Sequence, residues 1–357
     1  MRIAQVAPLY ESVPPRGYGG TERVVSWLTE ELVAAGHDVT LFASGDSVTS
    51  AKLVPCCRRA LRLAGASDEI APHILAVERA VNAQERFDLL HFHTGTVHFP
   101  SARRCVVPSL STVHGRVDVD ETSDVHWEFR DMPLVSLCDQ QREPMPWARW
   151  VRTVPHGMPA DLLRFDPRGG SELVFLGRLS REKRPDRAIR IARAAGVDLR
   201  IAAKLDVKDQ EYFQSEVASL LTGPGVEVLG EINDDDKQAV LGGALGMLFP
   251  IDWPEPFGLV LIEALACGTP VVAWRCGSVP SIIEHGVSGF IVDSEAEAVE
   301  AVRALPTLDR QRVRSAFERR FTASRMMRDY LDVYRDLVEG RLSPPSAIWD
   351  GGADART

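Results

Sequence analysis

The chain alternates short apolar runs with amphipathic stretches almost from end to end, and this rhythm limits the fold most. "RIAQVAP" (2–8) is a short apolar run, "LYESVPPRGYGG" (9–20) a Pro/Gly loop, and "TERVVSWLTEELVAAG" (21–36) carries Val24, Val25, Leu28, Leu32 and Val33 on one helical face. Gly36 supplies a stop, because glycine takes the left-handed conformation that ends helices. "DVTLFAS" (38–44) returns as a strand. Strand, helix and strand in this order imply a parallel sheet. Further strands are expected at "DLLHFH" (88–93) and "SLSTVH" (109–114), with weaker candidates at "PLVSLC" (133–138) and "RTVPHG" (152–157).

The second half repeats the alternation. Strands are expected at "ELVFLG", "DLRIAA", "VEVLG", "GMLFP", "TPVVAW" and "GFIV", and helices at 184–196, 209–221, 235–244, 258–268 and 295–305. Two more helices, 308–321 and 322–340, finish the pattern. Its 357 residues exceed one ordinary core. The expected class is therefore α/β, two doubly wound domains facing across a cleft. The Pro/Gly-rich segment 155–171 marks the break. The expected division is 1–160, 161–321, a C-terminal helix over 322–340 and a disordered tail over 341–357, which lacks apolar periodicity.

Net charge is −9, which argues against a general nucleic-acid binder. No apolar run reaches the roughly 18 residues of a membrane span. The N-terminus reads as a buried strand, not a signal peptide. Six cysteines without CxxC spacing suit reduced thiols and a cytoplasmic setting.

In doubly wound sheets, ligands bind beyond the carboxyl ends of the strands. Gly19 and Gly20 follow the first strand and precede the first helix, where backbone amides can approach phosphate. A simple tight turn explains them equally well. Arg178 and Lys183 flank the exit of "ELVFLG" and suit a diphosphate, whereas Arg187, Arg190 and Arg193 fit a solvated helix face. His114 closes "STVH" before a glycine and should face the cleft; taken alone, a satisfied structural histidine is the plainer account. His91, His93 and His98 lack a carboxylate at familiar zinc spacing, so no metal is expected. Asp118 and Asp120 read as loop acids and 234–236 as a helix N-cap run.

"DWPEPFGLVLIEALACG" (252–268) is the most informative stretch. Glu255 lies at a strand mouth. Phe257, Gly258 and Leu259 supply free amides at a helix start. Glu263 sits almost two turns into an apolar helix, where a carboxylate needs a partner. Either it joins a buried ion pair, or it holds a hydroxylated ligand.

Glu255 and Glu263 match the E-x7-E motif of family-4 retaining glycosyltransferases with the GT-B fold. The resemblance spans nearly the whole chain, through "YGGTERVV", "GHDVTLFAS", "LLHFH", "STVHG", "GRLSREKRPD", "LGEINDDDK" and "GSVPSIIEHGVSGFIV". It implies a metal-independent hexosyltransferase using a nucleotide-sugar donor and no cofactor; UDP-sugar and GDP-mannose donors share these motifs, and a UDP-sugar is the favoured expectation. By the same resemblance, Gly19 and Gly20 approach the donor diphosphate, His114 contacts the donor sugar, and Arg178 and Lys183 neutralise the leaving group. Glu255 holds sugar hydroxyls, with Phe257, Gly258 and Leu259 offering amides. Glu263 meets the ribose, and 229–232, with Gly230, Glu231 and Ile232, lines the base. The last helix crosses back to the N-terminal domain. Two positions depart from the family pattern: Arg184, where glycine often stands, and His156, where asparagine often stands.

Competing classes are a non-hydrolysing sugar-nucleotide epimerase and a non-catalytic sugar-nucleotide binding protein. The acceptor, a glycan, small molecule or lipid-linked group, is expected at N-terminal loops including 56–65 and 117–131. Arg58, Arg59 and Arg62 with Leu61 and Leu63 read as a solvated helix ahead of a membrane-docking face. "WARWVR" (147–152) is open between membrane contact and core packing.

Overall fold

The computed structural model describes residues 1–17 and 19–342. The tail from 343 and Tyr18 lie outside the described residues.

Seven parallel strands form the N-terminal sheet: β1 (Arg2–Val6), β2 (Asp38–Ser44), β3 (Lys52–Cys57), β4 (Leu89–Phe92), β5 (Ser109–Thr112), β6 (Leu134–Ser136) and β7 (Trp150–Thr153). Their order is β3-β2-β1-β4-β5-β6-β7. Six form the second sheet: β8 (Leu173–Arg178), β9 (Leu199–Lys204), β10 (Val226–Gly230), β11 (Gly246–Phe249), β12 (Val271–Trp274) and β13 (Gly289–Val292), ordered β10-β9-β8-β11-β12-β13. Both sheets are doubly wound, as the alternation implied. The winding reverses between β1 and β4 and between β8 and β11, so each sheet opens its crevice there. Central strands are buried on both faces, as Ile3, Ala4 and Val6 show.

The helix Gly20–Ala34 buries Val24, Val25, Leu28 and Leu32. The helix Ala323–Val338 packs against it and sinks Tyr330 and Tyr334 completely. The two passages between the sheets run side by side: the Met158 amide donates to the Phe321 carbonyl at 2.9 Å and the Ala323 amide to the Met158 carbonyl at 2.8 Å. A Cβ on Gly157 would lie 2.2 Å from the Thr322 carbonyl oxygen, so only glycine fits that crossing.

Three local expectations change, and one helix, Ile70–Asn82, had none. The segment 56–65 ends an unforeseen edge strand, β3, and then makes a single turn, Leu61–Ala64, with Leu61 buried in the core rather than on a basic face. The helix Ile70–Asn82 carries Pro72 in its first turn, where a missing N–H costs nothing. The segment 117–131 contains the helix Asp120–Glu128. The helix expected over 209–221 is broken into one turn, Gln210–Tyr212, a π segment, Phe213–Val217, and a 3-10 segment, Ala218–Leu221. Trp147 and Trp150 pack on the N-terminal core, and the Trp150 indole donates to the Met145 carbonyl at 2.8 Å. Among the described residues no helix is long and apolar enough to cross a membrane.

Candidate active site

The loop after β11 carries Glu255. Its Oε2 accepts from the Trp253 indole N–H at 2.9 Å and from the Lys183 ammonium. The ammonium also lies 4.9 Å from the centre of the Trp253 ring. Lys183 comes from the turn after β8, in which the Ser180 carbonyl accepts from the amides of Lys183 and Arg184. Arg184 closes that turn at φ +55° and pairs with Asp186 at 2.9 Å and Asp252 at 2.8 Å, which ties the β8 and β11 loops together. The family's frequent glycine at this position is explained by the left-handed backbone.

The loop after β12 braces Glu255 from behind. A Cβ on Gly277 would lie 2.4 Å from both the amide nitrogen and the carbonyl oxygen of Glu255. The Ser278 amide donates to the Glu255 carbonyl at 2.9 Å, and its hydroxyl to the Phe257 carbonyl at 2.6 Å.

The helix Leu259–Ala266 begins after Gly258 at φ +80°, and no side chain caps it. Its first amides and dipole are therefore open to an anion. Across the cleft, a Cβ on Gly20 would sit 3.6 Å from Leu259 Cδ1. Two helix starts thus face each other. Gly19 turns against Pro15, where a Cβ would lie 2.7 Å from the Pro15 Cβ.

Arg178 is the last residue of β8, and its guanidinium is held by Glu182 at 2.6 Å and Asp209 at 3.1 Å. The sequence set it beside Lys183 as one pair; the structure gives each cation its own carboxylate. Glu263 lies one turn into its helix, not two, and has the ion pair that the simpler account required: Lys237 Nζ donates to its Oε1 at 2.8 Å. Burial works against the Lys237 ammonium, but Glu263 and Asp234 outweigh it and raise its pKa. Arg23, from the first helix, pairs with Asp234 at 2.6 Å and links the domains. Asn233 caps the helix that bears Lys237. Gly230 ends β10 at φ +74°; Glu231 after it is exposed and Ile232 half-buried.

His114 leaves β5 and is half-buried, with Nε2 at 2.8 Å from His93 Nδ1. Its ring stacks on His156 with centroids 5.1 Å apart, and His156 meets Phe257 edge-on at 4.9 Å. The departing residue His156 is therefore the bridge from His114 to the Glu255 loop. Burial pushes His114 down to about 3. Arg116 lies 5.5 Å from the Trp253 ring centre, a further contact across the cleft. Among the described residues no group of three His, Cys, Asp or Glu side chains is placed to hold a metal ion.

Sequence reasoning missed Trp253, His156, Gly277 and Lys237 as neighbours of these groups. Lys237 carried a signal, as the buried-pair partner that Glu263 demanded, and His156 stood out as a departure from the family pattern.

The arrangement gathers cations, open amides and carboxylates at the reversal points of two facing sheets. The family model described as Glycosyltransferase Family 4 matches residues 18–166, and the one described as Glycosyl transferases group 1 matches 166–318. A GDP-mannose-dependent alpha-(1-6)-phosphatidylinositol dimannoside mannosyltransferase of Mycobacterium tuberculosis is 32% identical over 354 residues, covering 90% of this chain and 91% of its own. A glycogen synthase of the same species is 27% identical over 378 residues, covering 89% and 90%. The crystal structure of AviGT4, a glycosyltransferase involved in avilamycin A biosynthesis, superposes with a TM-score of 0.75 at 24% identity, covering 95% and 98%. The Anabaena protein HepE, solved in complex with UDP, gives 0.73 at 17%, covering 94% and 100%. The chain belongs to glycosyltransferase family 4 and is a sugar-transferring enzyme of the GT-B fold.

Proposed function

We propose that this enzyme moves a hexose from a nucleotide-diphosphate sugar to a hydroxyl acceptor, with retention of anomeric configuration and without a metal. A UDP-sugar is the favoured donor and GDP-mannose the alternative. The observation that carries the reading is the Lys183–Glu255 pair, set beside an uncapped helix start that faces Gly20 across the cleft.

In this reading 161–321 binds the donor and 1–160 the acceptor, a glycan, small molecule or lipid-linked group. Glu255 takes the sugar hydroxyls and releases Lys183 toward the diphosphate. Arg178 exchanges Glu182 and Asp209 for the same anion. The amides of Phe257, Gly258 and Leu259, with Gly19 and Gly20 opposite, complete the anion cradle. Glu263, steadied by Lys237, receives the ribose, and 229–232 lines the base. The anomeric C–O bond breaks, and its electrons pass to the diphosphate. The acceptor oxygen bonds the anomeric carbon on the same face and passes its proton to a diphosphate oxygen. Cations and amides already in place stabilise the charge as it develops. All six cysteines are free, which suits a cytoplasmic setting.

Thermal unfolding with UDP, GDP or ADP, each with EDTA, tests the reading. A ligand at 100 times its dissociation constant adds about 2.7 kcal/mol. A shift with UDP that survives EDTA supports it; a shift with GDP alone moves the donor to GDP-mannose. No shift with any nucleotide, or one abolished by EDTA, counts against it.

A further inference from the structure

A chain of buried hydrogen bonds runs from the crossing helix to the cleft and has a direction. The Gln5 carboxamide Nε2–H donates to the Tyr334 hydroxyl at 3.0 Å. Its Oε1 therefore faces His93 Nε2, at 2.8 Å. An amide oxygen only accepts, so His93 carries its proton on Nε2. Burial first, and the neighbouring imidazoles second, hold His93 neutral, so its Nδ1 is a bare acceptor. His114 must then donate through Nε2–H across the 2.8 Å contact. His114 is also neutral, which leaves its Nδ1 as a lone pair. That atom is buried and has no partner among the described residues. A buried acceptor without a partner needs a reason.

The other end of the chain agrees. Tyr334 accepts from Gln5 and can give its own proton to His91 Nδ1 at 2.7 Å. His91 then donates through Nε2–H to Thr112 Oγ1 at 2.8 Å, and Thr112 to the Tyr330 hydroxyl at 2.7 Å. Each group has one role, and no donor meets a donor.

We propose that Tyr334, Gln5 and His93 are positioning residues that lock His114 as the Nε2–H tautomer, so that its Nδ1 accepts a hydroxyl proton from the bound sugar. His114 thus recognises a hydroxyl and holds no proton to give at that atom. The crossing helix acts on the cleft through this lock, which water cannot scramble because Gln5, His91, His93 and Tyr334 are all buried. Only the identity of the group that meets Nδ1 rests on the transferase reading.

The test is long-range proton–nitrogen correlation of the full-length protein, labelled with nitrogen-15 in histidine. His114→Gln assigns the His114 ring by its loss. The expected spectrum shows pyrrole-type Nε2 and pyridine-type Nδ1 in both His93 and His114; a pyrrole-type Nδ1 in His114 overturns the proposal. Tyr334→Phe keeps the ring and frees the Gln5 amide to turn. It should mix the His114 tautomers and raise the nucleotide-sugar KM roughly three- to tenfold, the worth of one hydrogen bond. A Tyr334→Phe protein with lower Tm and an unchanged His114 pattern would reduce Tyr334 to a packing role and refute the lock. Should that variant not fold, the wild-type spectrum decides alone. The tautomer is read without any sugar nucleotide, so a failed nucleotide shift would sink the donor reading and leave this result standing.

Discussion

Lys183 and Glu255, 72 positions apart, close an ion pair on the same carboxylate oxygen that receives the Trp253 indole. In the proposed reading this pair faces the diphosphate and the sugar. Lys183→Ala should lower kcat by about 10²–10³, the usual loss when one preorganised donor is removed from developing negative charge. Glu255→Gln should lower kcat/KM as well. The two changes act on one unit, so the double variant should fall well short of the product of the single losses. Steady-state kinetics on the four proteins measures this; fully multiplicative losses would mean that the pair does not work as a unit.

Gly277 offers a sharper probe, because it packs on the backbone of Glu255. Its φ of +53° and its approach to Glu255 both require glycine. Gly277→Ala must displace the Glu255 backbone, and misplacement by about 1 Å can cost roughly 100-fold in rate. Gly286→Ala is the control: it sits at φ +75° with nothing within 4 Å of a new Cβ. Both variants should lose about 1–2 kcal/mol to backbone strain, but only Gly277→Ala should lose kcat/KM. Equal activity in the two would remove the bracing role of the β12 loop.

Arg184 combines a strained backbone with two ion pairs. Arg184→Ala keeps the strain and loses the pairs. Arg184→Gly loses the pairs and relieves the strain. The glycine variant should therefore be the more stable of the two by about 1 kcal/mol, read as a difference in urea midpoint. Identical midpoints would show that the turn does not hold this residue left-handed.

These residues also show what was legible. Parallel strands buried on both faces announce themselves as apolar runs, so β1, β2, β4, β5 and β8, β9, β11, β12 and β13 were readable from the sequence pattern; β10, a half-exposed edge strand, was still read from Val226, Val228 and Leu229. β3 was not: Pro55 and its half-exposed position suit an edge strand but erase the apolar run. The Glu255 to Glu263 spacing pointed to the candidate site, because a carboxylate inside an apolar helix is costly without a partner. Lys237, which answers Glu263 from another helix, has no fixed sequence separation from it. The same holds for Gln5, His93 and Tyr334, where 329 positions separate two hydrogen-bonded side chains. Period and motif report local structure, and contacts made by the winding of the chain leave no local trace. Arg184 was noticed as a departure, yet only its φ explains why glycine suits the place.

Acid should destabilise this protein well before its carboxylates titrate. His91, His93 and His156 are held well below the ordinary histidine range by burial first, and burial pushes His98 and His114 to about 3. The unfolded chain takes up these protons near pH 6.5. Between that value and the folded values, the unfolded state binds more protons, so stability rises with pH. Stability is then complete above about pH 6.5 and falls as pH drops, by up to about 1.4 kcal/mol per pH unit for each histidine. Asp186, burial opposed and outweighed by Arg184, Tyr212 and Arg190, sits below the carboxylate range and acts only under about pH 4. His98 isolates the effect, because its partners are Thr94 and Ser111 and its ring stacks on Phe92, away from the Glu255 loop. His98→Gln should melt below wild type at pH 7.5, and the gap should narrow steadily toward pH 5, since the variant no longer has that proton to refuse. A gap that stays constant over this range would mean that burial does not depress the His98 pKa.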